Sequence, residues 1–130
     1  MRGRRGSTLV EAALVTTTFI VLLVGIMDFG RLGFAYNSVT YAAHHAARFA
    51  ATNGSASGHA ATSATILSNV ESNVTMLDTT QLTVTTTWTP NNSPGSQVQV
   101  LVSFAFQPML IPISSGSITL KSYSNETVIQ

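Results

Sequence analysis

Cysteine is absent from this 130-residue chain, which excludes disulfides, thiolate zinc sites and a cysteine nucleophile outright. Charge is scarce as well: Asp, Glu, Lys and Arg make up 8% of residues against about 25% in ordinary globular proteins, with Thr, Ser and Asn in their place. The exposed surface is therefore expected to be polar and nearly uncharged. Arg2, Arg4 and Arg5 supply half of the basic residues; beyond them Arg31, Arg48 and Lys121 stand against Glu11, Asp28, Glu71, Asp78 and Glu126, a net charge of −2. No basic patch is left to hold nucleic acid.

Catalytic patterns are missing too. There is no Gly-x-Ser-x-Gly, and Glu71 and Asp78 stand seven apart without an accompanying base, so the chain is not expected to be an enzyme or to need a cofactor. Gly25, Gly30 and Gly33 lie in or beside an apolar helix rather than in a phosphate loop, and they lack the spacing of close helix dimers; they are expected to permit bending or local unwinding. Adjacent His44 and His45 point about 100° apart on a helix and have no acid one turn away, so they are expected to be solvent-facing polar residues rather than metal ligands.

What is present is led by one stretch. From Leu9 to Met27 the only charge is Glu11, and the run matches the ~20 apolar residues that a membrane-crossing helix needs. The arginines in front of it leave the N-terminus in the cytoplasm by the positive-inside bias. The helical pattern then continues: Phe29, Leu32, Tyr36, Val39, Ala43, Ala46 and Ala50 follow one another at steps of three and four, which predicts a helix over about 8–51 with a second, projecting half. Its apolar positions shrink from Phe and Tyr to Ala, so another element can approach closely near the far end.

Asn53-Gly54 within residues 52–58 marks a helix stop. Ile66, Leu67, Val70, Val74 and Leu77 share a face and predict a second amphipathic helix over about 59–77, despite its β-branched Thr62, Thr65, Val70, Val74 and Thr75. From Gln81 the period changes to two. Leu82, Val84, Thr86 and Trp88 alternate with threonines, and Val98, Val100, Val102, Phe104 and Phe106 alternate beyond the turn at 90–95, a strong hairpin pattern. A connection from Gln107 to Gly116, containing Pro108 and Pro112, leads to a third strand. The expected fold class is thus α+β: the long helix, the second helix, and a three-stranded antiparallel sheet over about 81–89, 97–106 and 117–129, covered by the projecting helix. The expected division is a basic leader at 1–6, a transmembrane helix at 7–28 and one extracytoplasmic α+β domain at 29–130.

The start of the chain carries a more specific pattern. Basic residues precede Gly6, and Ser7-Thr8-Leu9-Val10-Glu11 follow it, so scission after Gly6 puts a carboxylate at mature position five. This arrangement resembles the cleavage site of type IV prepilins. The wider set, Val10-Glu11-Ala12-Ala13-Leu14, then Asp28-Phe29-Gly30-Arg31, then Ala42-Ala43-His44-His45-Ala46-Ala47-Arg48, resembles the TadE-like pseudopilins of tight-adherence (Tad) pilus systems. The resemblance covers about Arg4 to Arg48; Ala12, Thr17 and Ala46 depart from the family's usual residues. It implies processing between Gly6 and Ser7 by a prepilin peptidase. It also implies association with other pilin or pseudopilin subunits and an inner-membrane assembly platform, in the lipid bilayer of the cytoplasmic membrane or in a surface filament. Independently of the resemblance, a carboxylate near the membrane end of an apolar helix usually has a partner, the alternative being that it snorkels among the headgroups, and a new ammonium at Ser7 lies i,i+4 from Glu11 on one helix face. The pair is available within one subunit or between neighbours.

Two other readings have different signatures. In one, the helix is a plain signal anchor for an exported binding domain. In the other, Gly33-Phe34-Ala35 is a signal peptidase site whose cleavage frees a domain beginning at Tyr36. Glu11 counts against the latter, because a charge beside the apolar region weakens a signal peptide.

Overall fold

Residues 3–52 contain no proline, so nothing interrupts the i→i−4 backbone ladder. In the computed structural model, which describes residues 3–74, 76–109 and 117–130, they form one helix, α1 (Gly3–Thr52). Its 50 residues extend for roughly 75 Å at 1.5 Å per residue. The helix starts inside the basic leader rather than near residue 8, and it remains regular helix through Gly25, Gly30 and Gly33. The unwinding expected at those glycines does not occur: each costs only about 1 kcal/mol relative to alanine, too little to open a ladder flanked by good helix formers. Thr17 and Thr18, polar groups in the apolar run, donate their hydroxyls to the carbonyls of Ala13 and Leu14 at 2.8 and 2.9 Å. The helix thereby satisfies them without water.

Helix α2 (Ser63–Asn73) is shorter than its apolar face suggested. Its start is fixed by a reciprocal cap, in which the Thr62 hydroxyl accepts from the Thr65 N–H and the Thr65 hydroxyl accepts from the Thr62 N–H; this excludes residues 59–61. At the other end Val74 is already extended, and Asn73 turns its side-chain amide back onto the Asn69 carbonyl. Thr75, part of the expected helix, lies outside the described residues, as do Met1, Arg2 and residues 110–116 of the expected connection, Pro112 included.

A single 3-10 turn (Thr79–Gln81) leads into strands β1 (Leu82–Thr89), β2 (Gln97–Phe106) and β3 (Ile118–Thr127). They form an antiparallel sheet in the order β1-β2-β3, with Trp88 opposite Val98 and Val100 opposite Ser124. The inner face of the central strand, Val98, Val100, Val102, Phe104 and Phe106, is buried. It lies under the upper half of α1, with Ile66 and Val70 of α2 completing the core.

The buried stripe of α1 is Ala35, Val39, Ala42, Ala43, Ala46, Ala47, Ala50 and Ala51. This corrects the expected stripe at its lower end, where Phe29 and Tyr36 are exposed and only Leu32 is partly buried. Small residues win those positions because they meet β3 where its inner face is itself small, with Ser122 half-buried and Ser124 buried. Close approach of helix to sheet needs short side chains on both surfaces.

Candidate functional site

The three residues expected to serve processing and assembly, Gly6, Ser7 and Glu11, all lie in the first turns of α1, exposed. The structure brings none of them against the sheet domain. Gly6 has open space where a side chain would stand. The Gly6–Ser7 bond lies inside the helix rather than in a leader ahead of it, so scission there requires the terminal turn to open, which helix ends do readily. From Leu9 to Leu23 every residue is exposed, and the most hydrophobic part of the helix has no share buried within the fold. This is a helix long and apolar enough to cross a membrane, presenting one carboxylate, Glu11, that its own chain leaves uncovered.

Between this free half and the packed half stands a clasp built on the Asp28-Phe29-Gly30-Arg31 group. The Asp28 side chain, 12% exposed, accepts from Arg31 Nη1 at 2.9 Å. Its other oxygen accepts the Met109 backbone N–H at 2.7 Å. The Arg31 guanidinium lies 5.4 Å from the centre of the Phe106 ring, a cation–π distance. One acidic and one basic side chain, three residues apart on α1, thus tie the end of β2 and the chain beyond it to the helix where its apolar run ends. An open groove of about 580 Å³ lies beside the clasp, lined mainly by Met27, Phe34, Met76, Leu77, Phe104 and Phe106.

Higher on the helix the two histidines do more than face solvent. Because neighbouring helical residues diverge by about 100°, His44 Nδ1 reaches the buried Ser124 hydroxyl of β3 at 2.9 Å, while His45 Nδ1 reaches Asn69 Oδ1 of α2 at 3.2 Å. They link the helix to its two neighbours. At the distal end the C-terminal segment closes the fold: Ile129 N–H donates to the Ala51 carbonyl and Val128 N–H to that of Ser96. Gly54 sits so close that a Cβ there would collide with the Gln130 carbonyl and Val128 Cγ1. Among the described residues no group of three or more His, Asp or Glu side chains is placed to hold a metal ion.

Asp78 stands just ahead of the 3-10 turn. The Thr80 hydroxyl and backbone N–H both donate to its carboxylate and hold its pKa below the usual carboxylate value.

The clasp and the histidine links were not legible in the sequence beforehand. The motif residues were visible, but their partners lie 81 and 80 positions away, and only the folded register brings them together. Residues 6–48 match the family model of TadE-like proteins, covering the free half of α1, the clasp's two helical side chains and most of the alanine stripe. Over that third of the chain the sequence is similar to TadE-like proteins. No curated protein and no solved structure matches the chain.

Proposed function

We propose that this chain, TadE-like over residues 6–48, is a pseudopilin or minor pilin without catalytic activity. A prepilin peptidase cuts it between Gly6 and Ser7, and α1 then joins it to other pilin subunits and to an inner-membrane assembly platform. It is held as a single-pass protein of the cytoplasmic membrane, with the N-terminus inside and the sheet domain outside. The observation that carries this reading is the division of α1 into a packed half and a half that, from Leu9 to Leu23, leaves its apolar surface and its one carboxylate, Glu11, exposed. A lone carboxylate among lipids is unfavourable. A neighbouring subunit whose mature N-terminus lies beside Glu11 supplies the opposite charge.

The plain signal anchor and the released exported domain differ from this in one readily measured property, the mature N-terminus. Mass spectrometry after co-expression with a prepilin peptidase is expected to show Ser7 first; Met1 retained indicates a signal anchor, and Tyr36 a secreted domain. Gly6→Leu is expected to block processing, and full processing of that variant rules out the assigned site.

A further inference from the structure

Where α1 ends its apolar run, the sheet domain turns an apolar underside towards the same level. The Asp28 carboxylate bound to Met109 N–H fixes the chain after β2 at the height of helix residue 28. The groove beside the clasp sets Met76 and Leu77 against helix residues 27–35. Phe29, Phe34, Met76 and Met109, from three separate stretches of sequence, therefore stand exposed at one height, Met76 at 86%, Phe29 at 78% and Met109 at 69%. Met76 is the one described non-glycine residue with a positive φ, 74°. Side-chain-bearing residues are held in that left-handed conformation only by their surroundings. Here it displays a methionine outward.

The height matches a bilayer boundary. A hydrocarbon core about 30 Å thick takes up about 20 helical residues, so a span beginning near Leu9 leaves it near Asp28. Residues 28–35 then pass through the headgroup layer, where aromatic side chains concentrate. Exposed apolar surface continuous with a membrane helix marks a membrane contact.

We infer that the underside of the sheet domain, centred on Met76 and Met109, rests in the outer headgroup layer of the bilayer that α1 crosses. This rests on the reading of α1 as a membrane span. The contact is apolar: Arg31 is engaged by Asp28 and Phe106, and the neighbouring Asp78 is negative, so anionic lipid is not what draws the domain down. The domain consequently has one preferred orientation on the membrane before any assembly step.

The absence of cysteine makes the test direct. Single-cysteine variants of the full chain, Met76→Cys, Met109→Cys, Leu22→Cys and Ala56→Cys, are labelled with a fluorophore and placed in vesicles of phosphatidylethanolamine and phosphatidylglycerol. A fraction of the lipid carries a nitroxide quencher high on its acyl chain. The labels at 76 and 109 are expected to be quenched several-fold by the lipid nitroxide and shielded from aqueous iodide, as at 22, whereas the label at 56 shows the reverse. Iodide reaching 76 and 109 as freely as 56, with 22 still quenched by lipid, overturns the docking while leaving the span intact. Protection of 76 and 109 from both quenchers means that protein covers them, and this also overturns it. Loss of lipid quenching at 22 removes the span and the docking together.

Discussion

The two halves of α1 are one uninterrupted helix with opposite surfaces. From Leu9 to Leu23 every side chain is exposed, the large apolar ones from Val21 at 46% to Leu9 at 72%; from Ala35 upward the inward side chains are small and almost wholly buried. Hydrophobicity alone would assign burial the other way round, since Leu, Ile and Phe gain more from leaving water than Ala does. What differs is the neighbour. The upper half meets a sheet face whose own residues include Ser122 and Ser124, and a close fit between two backbones requires short side chains. The lower half, from Leu9 to Leu23, is left exposed, and large apolar side chains suit lipid or another helix.

The largest way to break the contrast is at Glu11, the one charge in the apolar run from Leu9 to Met27. If it pairs with the Ser7 ammonium of a neighbour in a low-dielectric setting, Glu11→Ala is expected to cost assembly about 3 to 5 kcal/mol. Insertion should be unchanged or slightly improved. Membrane-fraction levels measured beside incorporation into sheared filaments, or co-purification with other pilins, check this; normal incorporation removes the pairing. Glu11→Gln separates charge from hydrogen bonding.

Next comes a matched pair of size increases. Ala46→Leu, in the buried stripe, is expected to destabilise the folded domain by about 1 to 3 kcal/mol through overpacking. Ala13→Leu, on the exposed half, should leave its thermal unfolding in detergent unchanged. Equal melting temperatures for the two variants would mean that the halves do not differ in packing as described. Ser124→Ala is a smaller intervention. It removes the hydroxyl that meets His44, and loss of such a bond typically costs about 1 kcal/mol; His44→Ala in the same background should add little if the pair is the only interaction lost.

The smallest effect sharpens the packed side alone. Asp78 has a lowered pKa because Thr80 donates twice to its carboxylate. The stability it contributes is therefore present above the unfolded carboxylate's pKa and is lost as pH falls through the lower folded value. Asp78→Asn should melt slightly below wild type at neutral pH and level with it in acid. A difference that persists undiminished in acid would detach the effect from ionisation.

Much of this architecture was legible in the residues. The apolar run, the switch to a period of two at Gln81 and the alternation in β2 are local signals, and each element they indicated is present. Misreadings arose where a periodic pattern competed with a local stop or a distant partner. Leu77 fits the face of α2, yet the Thr62–Thr65 cap and the extended Val74 end that helix on both sides of the apolar count. Tyr36 fits a three-and-four stripe, yet Ala35 is the residue turned inward. Gly6, Ser7 and Glu11 could be chosen from spacing alone, while the Asp28–Arg31 clasp needed Phe106 and Met109 in place to acquire a role.

The alanine stripe also bears on how the molecule is made. Its cover includes β3, the last strand to be synthesised, and the contact between His44 and Ser124 joins positions 80 residues apart. Until that strand arrives, the part of the inner face of α1 that β3 covers stays open, and pairings so distant in sequence close slowly. A waiting surface of leucines would attract other unfinished chains. A surface of alanines offers them little to hold, so the small residues that permit close packing in the finished domain also keep the nascent one from sticking before its last strand is available.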